Sequence, residues 1–71
     1  MTPGTHAAIV LHYLDRLGPT SPDALCVVLD TEQALPSPVD PGRVLSSIVR
    51  LCLAGRALRV AGGLYAPRRV R

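Results

Sequence analysis

Arginine dominates the residues of this chain that could do chemistry, and it is concentrated in one half of the sequence. Arg43, Arg50, Arg56, Arg59, Arg68, Arg69 and Arg71 fall in residues 41–71, where seven bases and no acid give a formal charge of +7. Residues 1–40 set Asp15, Asp23, Asp30, Glu32 and Asp40 against Arg16 alone, a formal −4, so the net +3 conceals a dipolar molecule. A guanidinium presents a planar fork of donors that fits phosphate or the paired acceptors of guanine. Attraction to a polyanion follows the local field rather than the total charge, so a one-sided arginine set has the footprint of a nucleic-acid face. The competing reading is a solvated charged surface.

The other reactive side chains do not assemble into a catalytic or metal-binding pattern. His6 and His12 are six residues apart and miss the i, i+4 spacing of a helical metal pair. His12 and Asp15 can touch at i, i+3, which reads as a surface helix contact rather than a catalytic dyad. Ser46 and Ser47 lack a neighbouring base and a glycine elbow, and Gly62-Gly63 is followed by neither a helix nor a lysine that would make a phosphate-cradling loop. Cys26 and Cys52 lie in apolar runs without Cys-x-x-Cys spacing, the pattern of buried reduced thiols rather than a disulfide or metal site. The sequence therefore points away from an enzyme, and no catalytic residue, metal or cofactor is expected.

Seventy-one residues make one small domain. Tyr13 and Tyr65 are the only aromatic residues, which argues against single-strand binding by stacked rings and leaves duplex DNA as the nucleic-acid candidate. Apolar stretches are interrupted well before the ~20 residues a membrane span needs, and the first segment lacks a signal peptide's basic start. The expected location is the cytoplasm of a bacterial or phage-infected cell, with no membrane partner.

Three elements must carry the arginines. Thr2-Pro3, Ser21-Pro22 and Asp40-Pro41 each pair a side-chain cap with a proline that has no amide to leave unpaired, the signature of a helix start. The first helix is expected to run to about Leu17, with Val10, Leu11, Leu14 and Leu17 inward and Gly18-Pro19 as its stop. The second, about Pro22 to Asp30, turns Leu25, Cys26 and Leu29 inward. The third, about Pro41 to Ala54, does the same with Val44, Ile48, Leu51 and Cys52, and Gly55 ends it. Residues 31–39, with Pro36 and Pro38, read as a semi-rigid loop. Arg56 to Ala61 and Leu64 to Pro67 read as strands joined by a two-residue Gly62-Gly63 hairpin turn.

Val10-Leu11-x-x-Leu14 before Gly18-Pro19, Leu25-Cys26-x-x-Leu29, Val44-x-x-x-Ile48-x-x-Leu51 running into Ala54-Gly55-Arg56-Ala57-Leu58, and Arg59 to Ala66 follow one another in this order. In that order the chain resembles the winged helix-turn-helix domain of bacterial and phage DNA-binding regulators. The resemblance implies an α+β, mainly α fold: three helices and a C-terminal two-stranded β-hairpin wing over residues 1–67, then a basic tail at 68–71. It also implies that the third helix enters the major groove, with Arg43, Ser46, Ser47 and Arg50 nearest base edges or phosphates. Arg56 and Arg59 on the wing, with Arg68, Arg69 and Arg71, would bind backbone or an adjacent minor groove. The implied function is a small duplex-DNA-binding transcriptional regulator.

Apolar residues are left over once these core positions are filled. Leu45, Val49 and Leu53, at i, i+4 and i+8, form a second stripe on the third helix, and Ile9 and Tyr13 do not fit the first helix's inward set. Exposed stripes of this kind mark oligomer or partner surfaces. A homodimer through the first helix would suit a palindromic DNA site. A stripe on the third helix would instead block groove entry and favour a protein target, as in a phage-encoded, anti-CRISPR-type inhibitor of a host nucleic-acid-binding complex. Charge segregation favours the DNA reading, the apolar stripe the protein one, and fold alone does not separate them.

Overall fold

In a computed structural model that describes residues 5–68, three helices are followed by a hairpin: α1 Thr5–Leu17, α2 Pro22–Thr31, α3 Pro41–Leu53, β1 Ala57–Val60 and β2 Leu64–Pro67. The topology is winged-helix-like and mainly α. The expected Thr2-Pro3 cap, and Arg69 and Arg71, lie outside the described residues. The other two caps form as the sequence indicates. Ser21 Oγ accepts from the Ala24 amide at 3.2 Å, and Asp40 Oδ1 accepts from the Gly42 amide at 2.9 Å. In each case a proline opens the helix without an amide to satisfy.

The helix ends set the chain's direction towards the next element. α3 closes with two bonds, from the Arg56 amide to the Leu51 carbonyl and from the Gly55 amide to the Cys52 carbonyl, while Gly55 takes φ 74°. This is the Schellman geometry, in which a left-handed residue lets the last carbonyls be satisfied. α2 ends the same way without a glycine: the Ala34 amide reaches the Leu29 carbonyl and the Gln33 amide the Asp30 carbonyl, with Gln33 at φ 54°. The loop that follows is anchored by Leu35, which is buried in the core.

The core is one cluster built from Ala7, Val10 and Leu14 of α1, Leu25 and Leu29 of α2, Leu35, then Val44, Ile48 and Leu51 of α3, and Ala57 of β1. Leu11, Cys26 and Cys52, expected inward, pack against this cluster but are only half-buried, and Leu17 is exposed. Leu14 is fully buried while Leu17, one turn on, is not, so an apolar period alone overstates what the core can cover. Both cysteines are free thiols.

β1 and β2 pair antiparallel in the register Ala57↔Pro67, Leu58↔Ala66, Arg59↔Tyr65 and Val60↔Leu64. The connection is three residues, Ala61-Gly62-Gly63, rather than the expected two. It makes a tight helical turn in which both glycines have positive φ, 80° and 72°. Thr20, between α1 and α2, adds an unexpected rung: its amide donates to the Tyr65 carbonyl and its carbonyl accepts from the Tyr65 amide, both at 2.9 Å. A two-stranded hairpin is marginal alone, and this bridge ties the wing to the helical body beside the contact of Tyr65 with the core.

Gln33 bears a side chain in a backbone region that costs an L-residue roughly 1–2 kcal/mol, part of which a glycine returns as unfolded-state entropy. Gln33→Gly is therefore expected to stabilise the domain by about 0.5–1 kcal/mol, read as a higher urea midpoint at unchanged slope. A lower midpoint would show that the Gln33 side chain, and not its backbone, matters at this turn.

Candidate nucleic-acid interface

α3 gives one narrow face to the core, where Val44, Ser47, Ile48 and Leu51 are buried. At 100° per residue the rest of its surface splits into two flanks. Arg43, Ser46 and Arg50 occupy one; Leu45, Val49 and Leu53 occupy the other, at 41%, 45% and 83% exposure. Arg43 and Arg50 are two turns apart on nearly the same line, about 10.5 Å along the axis at 1.5 Å per residue. The helix therefore presents a basic strip and an apolar strip side by side.

The basic strip leans towards α1. His6 and Ala7 join Arg43, Ser46, Ser47 and Arg50 around a shallow pocket of about 180 Å³ whose lining contains no acid. Ser47 departs from its expected outward role: it is 8% exposed, and its hydroxyl shares a hydrogen bond with His6 Nδ1. Its position, about 40° from Leu51 and about 60° from Val44 on the helical wheel, places it at the border of the core face, where a small polar residue can be covered by α1. Ser46 remains exposed and its hydroxyl donates to the Gly42 carbonyl at 3.0 Å, one turn back. His6 received no role from the sequence, because nothing local signals a bond to a residue 41 positions away.

The wing arginines separate. Arg56 and Arg68 lie at the base of the hairpin, joined by the Arg68 amide to the Arg56 carbonyl at 2.8 Å. They line a second pocket with Ala8, Leu11, His12, Asp15 and Pro67. The fold thus brings an acid of the first half, Asp15, to the basic segment. His12 meets the Tyr13 ring edge-on, centroids 5.5 Å apart, and lines this pocket together with Asp15. Arg59, opposite Tyr65 on β1, is exposed.

Elsewhere two acids of the first half have local partners. Arg16 lies over the Tyr13 ring at 5.2 Å and reaches Glu32 at 3.4 Å, and Asp30 accepts from Ser37 at 3.3 Å. Two weak acids report opposite fields. The Cys26 thiol is pushed up by burial and by the carboxylates of Asp23 and Asp40, whereas the imidazole of His6 is held below its ordinary value by burial and by the Arg43 guanidinium.

The residues expected to make a partner surface also divide. Ile9 and Tyr13 are half-buried against the core, and the Tyr13 hydroxyl donates to Glu32 at 3.2 Å, so both are engaged within the domain. Leu45, Val49 and Leu53 stay outside, with Leu58 of β1 also exposed at 45%. Among the described residues, no helix is long and apolar enough to cross a membrane. Comparison with known proteins finds no matching family model, no matching curated protein and no matching solved structure.

Folding favours the neutral form of His6, so the unfolded chain binds more protons as pH falls through the ordinary histidine range. Stability contributed this way is full above about pH 6.5, declines below it, and levels off beneath the lowered folded value. The urea midpoint of the native chain is expected to drop between about pH 7.5 and pH 5, and His6→Gln to flatten that drop. An identical decline in the variant would assign it to other groups.

Proposed function

We propose that the protein binds duplex DNA, chiefly through its sugar–phosphate backbone, as a small bacterial or phage regulator of transcription. The observation that carries this reading is the basic strip of α3: Arg43 and Arg50 about two turns apart, beside a pocket without an acid in its lining. Cations placed this way neutralise phosphates and orient a protein on DNA. Arg59 on the wing and Arg56 and Arg68 at its base supply further cations. Ser47 is removed from the contact set by burial, and Ser46 keeps its proton on Gly42, so Arg43 and Arg50 are the α3 side chains available for forked contacts. With an apolar strip beside them, affinity outweighs base readout.

One observation favours a second reading. Leu53 is 83% exposed and continues Leu45 and Val49 into a strip that would be costly to leave in water or to place against phosphates. A protein target, such as a host nucleic-acid-binding complex inhibited in anti-CRISPR fashion, or a second copy of this chain, would cover it.

Fluorescence anisotropy with labelled random-sequence duplex separates the two. Affinity is expected to fall steeply with salt, and Arg43→Ala/Arg50→Ala to reduce the log–log salt slope by about 1 where the two arginines share one phosphate and by about 2 where each takes its own. Leu53→Ser should leave DNA affinity unchanged. Absence of binding even at low salt would sink the DNA reading and hand the strip to a protein partner.

A further inference from the structure

The pocket between α1 and α3 has the chemistry of a site for one oxyanion, and its least expected member is a histidine. Arg43 and Arg50 bring two guanidiniums, and His6 comes from the facing helix. The groups facing the imidazole from α3 are Arg43, Arg50 and the hydroxyls of Ser46 and Ser47; no carboxylate lines the space. Ser46 donates to the Gly42 carbonyl, which leaves Ser47 to govern the ring. When the buried Ser47 hydroxyl donates to Nδ1, the neutral ring carries its proton on Nε2, the nitrogen not engaged by Ser47. In that tautomer the ring has a donor to offer an anion.

Resting on the DNA reading above, we propose that His6, Arg43 and Arg50 form a binding pocket for a single phosphate group, supplied by the duplex backbone, and that His6 takes up a proton when the pocket fills. Burial penalises an imidazolium while the pocket is empty, and the Arg43 guanidinium repels it. A phosphodiester placed in the pocket reverses the sign of the field: the proton taken up enters at Nδ1, where the Ser47 hydroxyl turns from donor to acceptor, and the Nε2–H bond to the phosphate becomes charge-assisted. Protonation and phosphate binding then favour each other by linkage, so affinity rises as pH falls from the bound to the free midpoint of His6, about tenfold per unit of separation, and levels off below. The site becomes a backbone clamp that tightens on acidification, independent of base sequence.

The test follows the His6 and His12 ring protons by NMR through a pH titration of the full chain, alone, with a short duplex, and with sulfate as a free non-titrating oxyanion. The duplex is expected to raise the His6 midpoint selectively, and duplex affinity to increase several-fold from about pH 8 to about pH 5.5. His6→Gln, which can still accept from Ser47, should abolish most of that pH dependence while keeping the native urea midpoint near pH 8. Arg43→Gln should raise the free His6 midpoint and blunt its response to either anion. A His6 midpoint unmoved by bound duplex, or His6 and His12 moving equally as in a diffuse field, overturns the clamp while leaving DNA binding intact. A selective response to sulfate with no duplex binding supports the pocket and overturns the nucleic acid as its source. Binding of neither duplex nor sulfate overturns pocket and DNA reading together.

Discussion

Burial of one face of α3 is the constraint on which the rest of this molecule depends. Val44, Ile48 and Leu51 are drawn against Val10, Leu14, Leu25 and Leu29, each worth roughly 1.5–3 kcal/mol when removed from water. A helix is a rigid cylinder, so committing that face leaves no freedom in where the others point. The basic flank must turn to α1 and the apolar flank away from it. Functional geometry here is a by-product of core geometry.

The same constraint explains why α3 looks ambiguous. A helix that only read DNA would turn polar residues to both sides of its outward edge, and one that only bound protein would not need two arginines beside an acid-free pocket. This helix carries both surfaces, with Leu53 among the most exposed apolar side chains of the domain. An occupant of one strip can sit close enough to the other to compete with it.

Much of the architecture was legible in local sequence, because caps, prolines and glycines act over a few residues. Ser21-Pro22 and Asp40-Pro41 opened α2 and α3, Gly18 and Gly55 turned the chain at positive φ, and the period of Val44, Ile48 and Leu51 identified the inward face. The readings that failed depended on distance. Leu17 has the helical period but no neighbour to cover it, and Gln33 ends α2 in a conformation that composition does not advertise. Leu35 sits in a loop just before Pro36, where no periodicity marks it as core, and Thr20 pairs with Tyr65 across most of the chain.

By itself the sequence determined the element order, the boundaries of α2 and α3, the dipolar distribution of charge and the existence of an apolar strip at Leu45, Val49 and Leu53. Each follows from near-neighbour chemistry, in which a residue's role is set by those within a turn or two. Only the tertiary structure decided that Ser47 is a buried partner of His6 rather than an outward contact, that Ile9 and Tyr13 are engaged within the domain, and that Asp15 lines one pocket with Arg56 and Arg68. Those outcomes depend on which helix faces which. That choice is made by the packing of the whole core at once, and no window of sequence contains it.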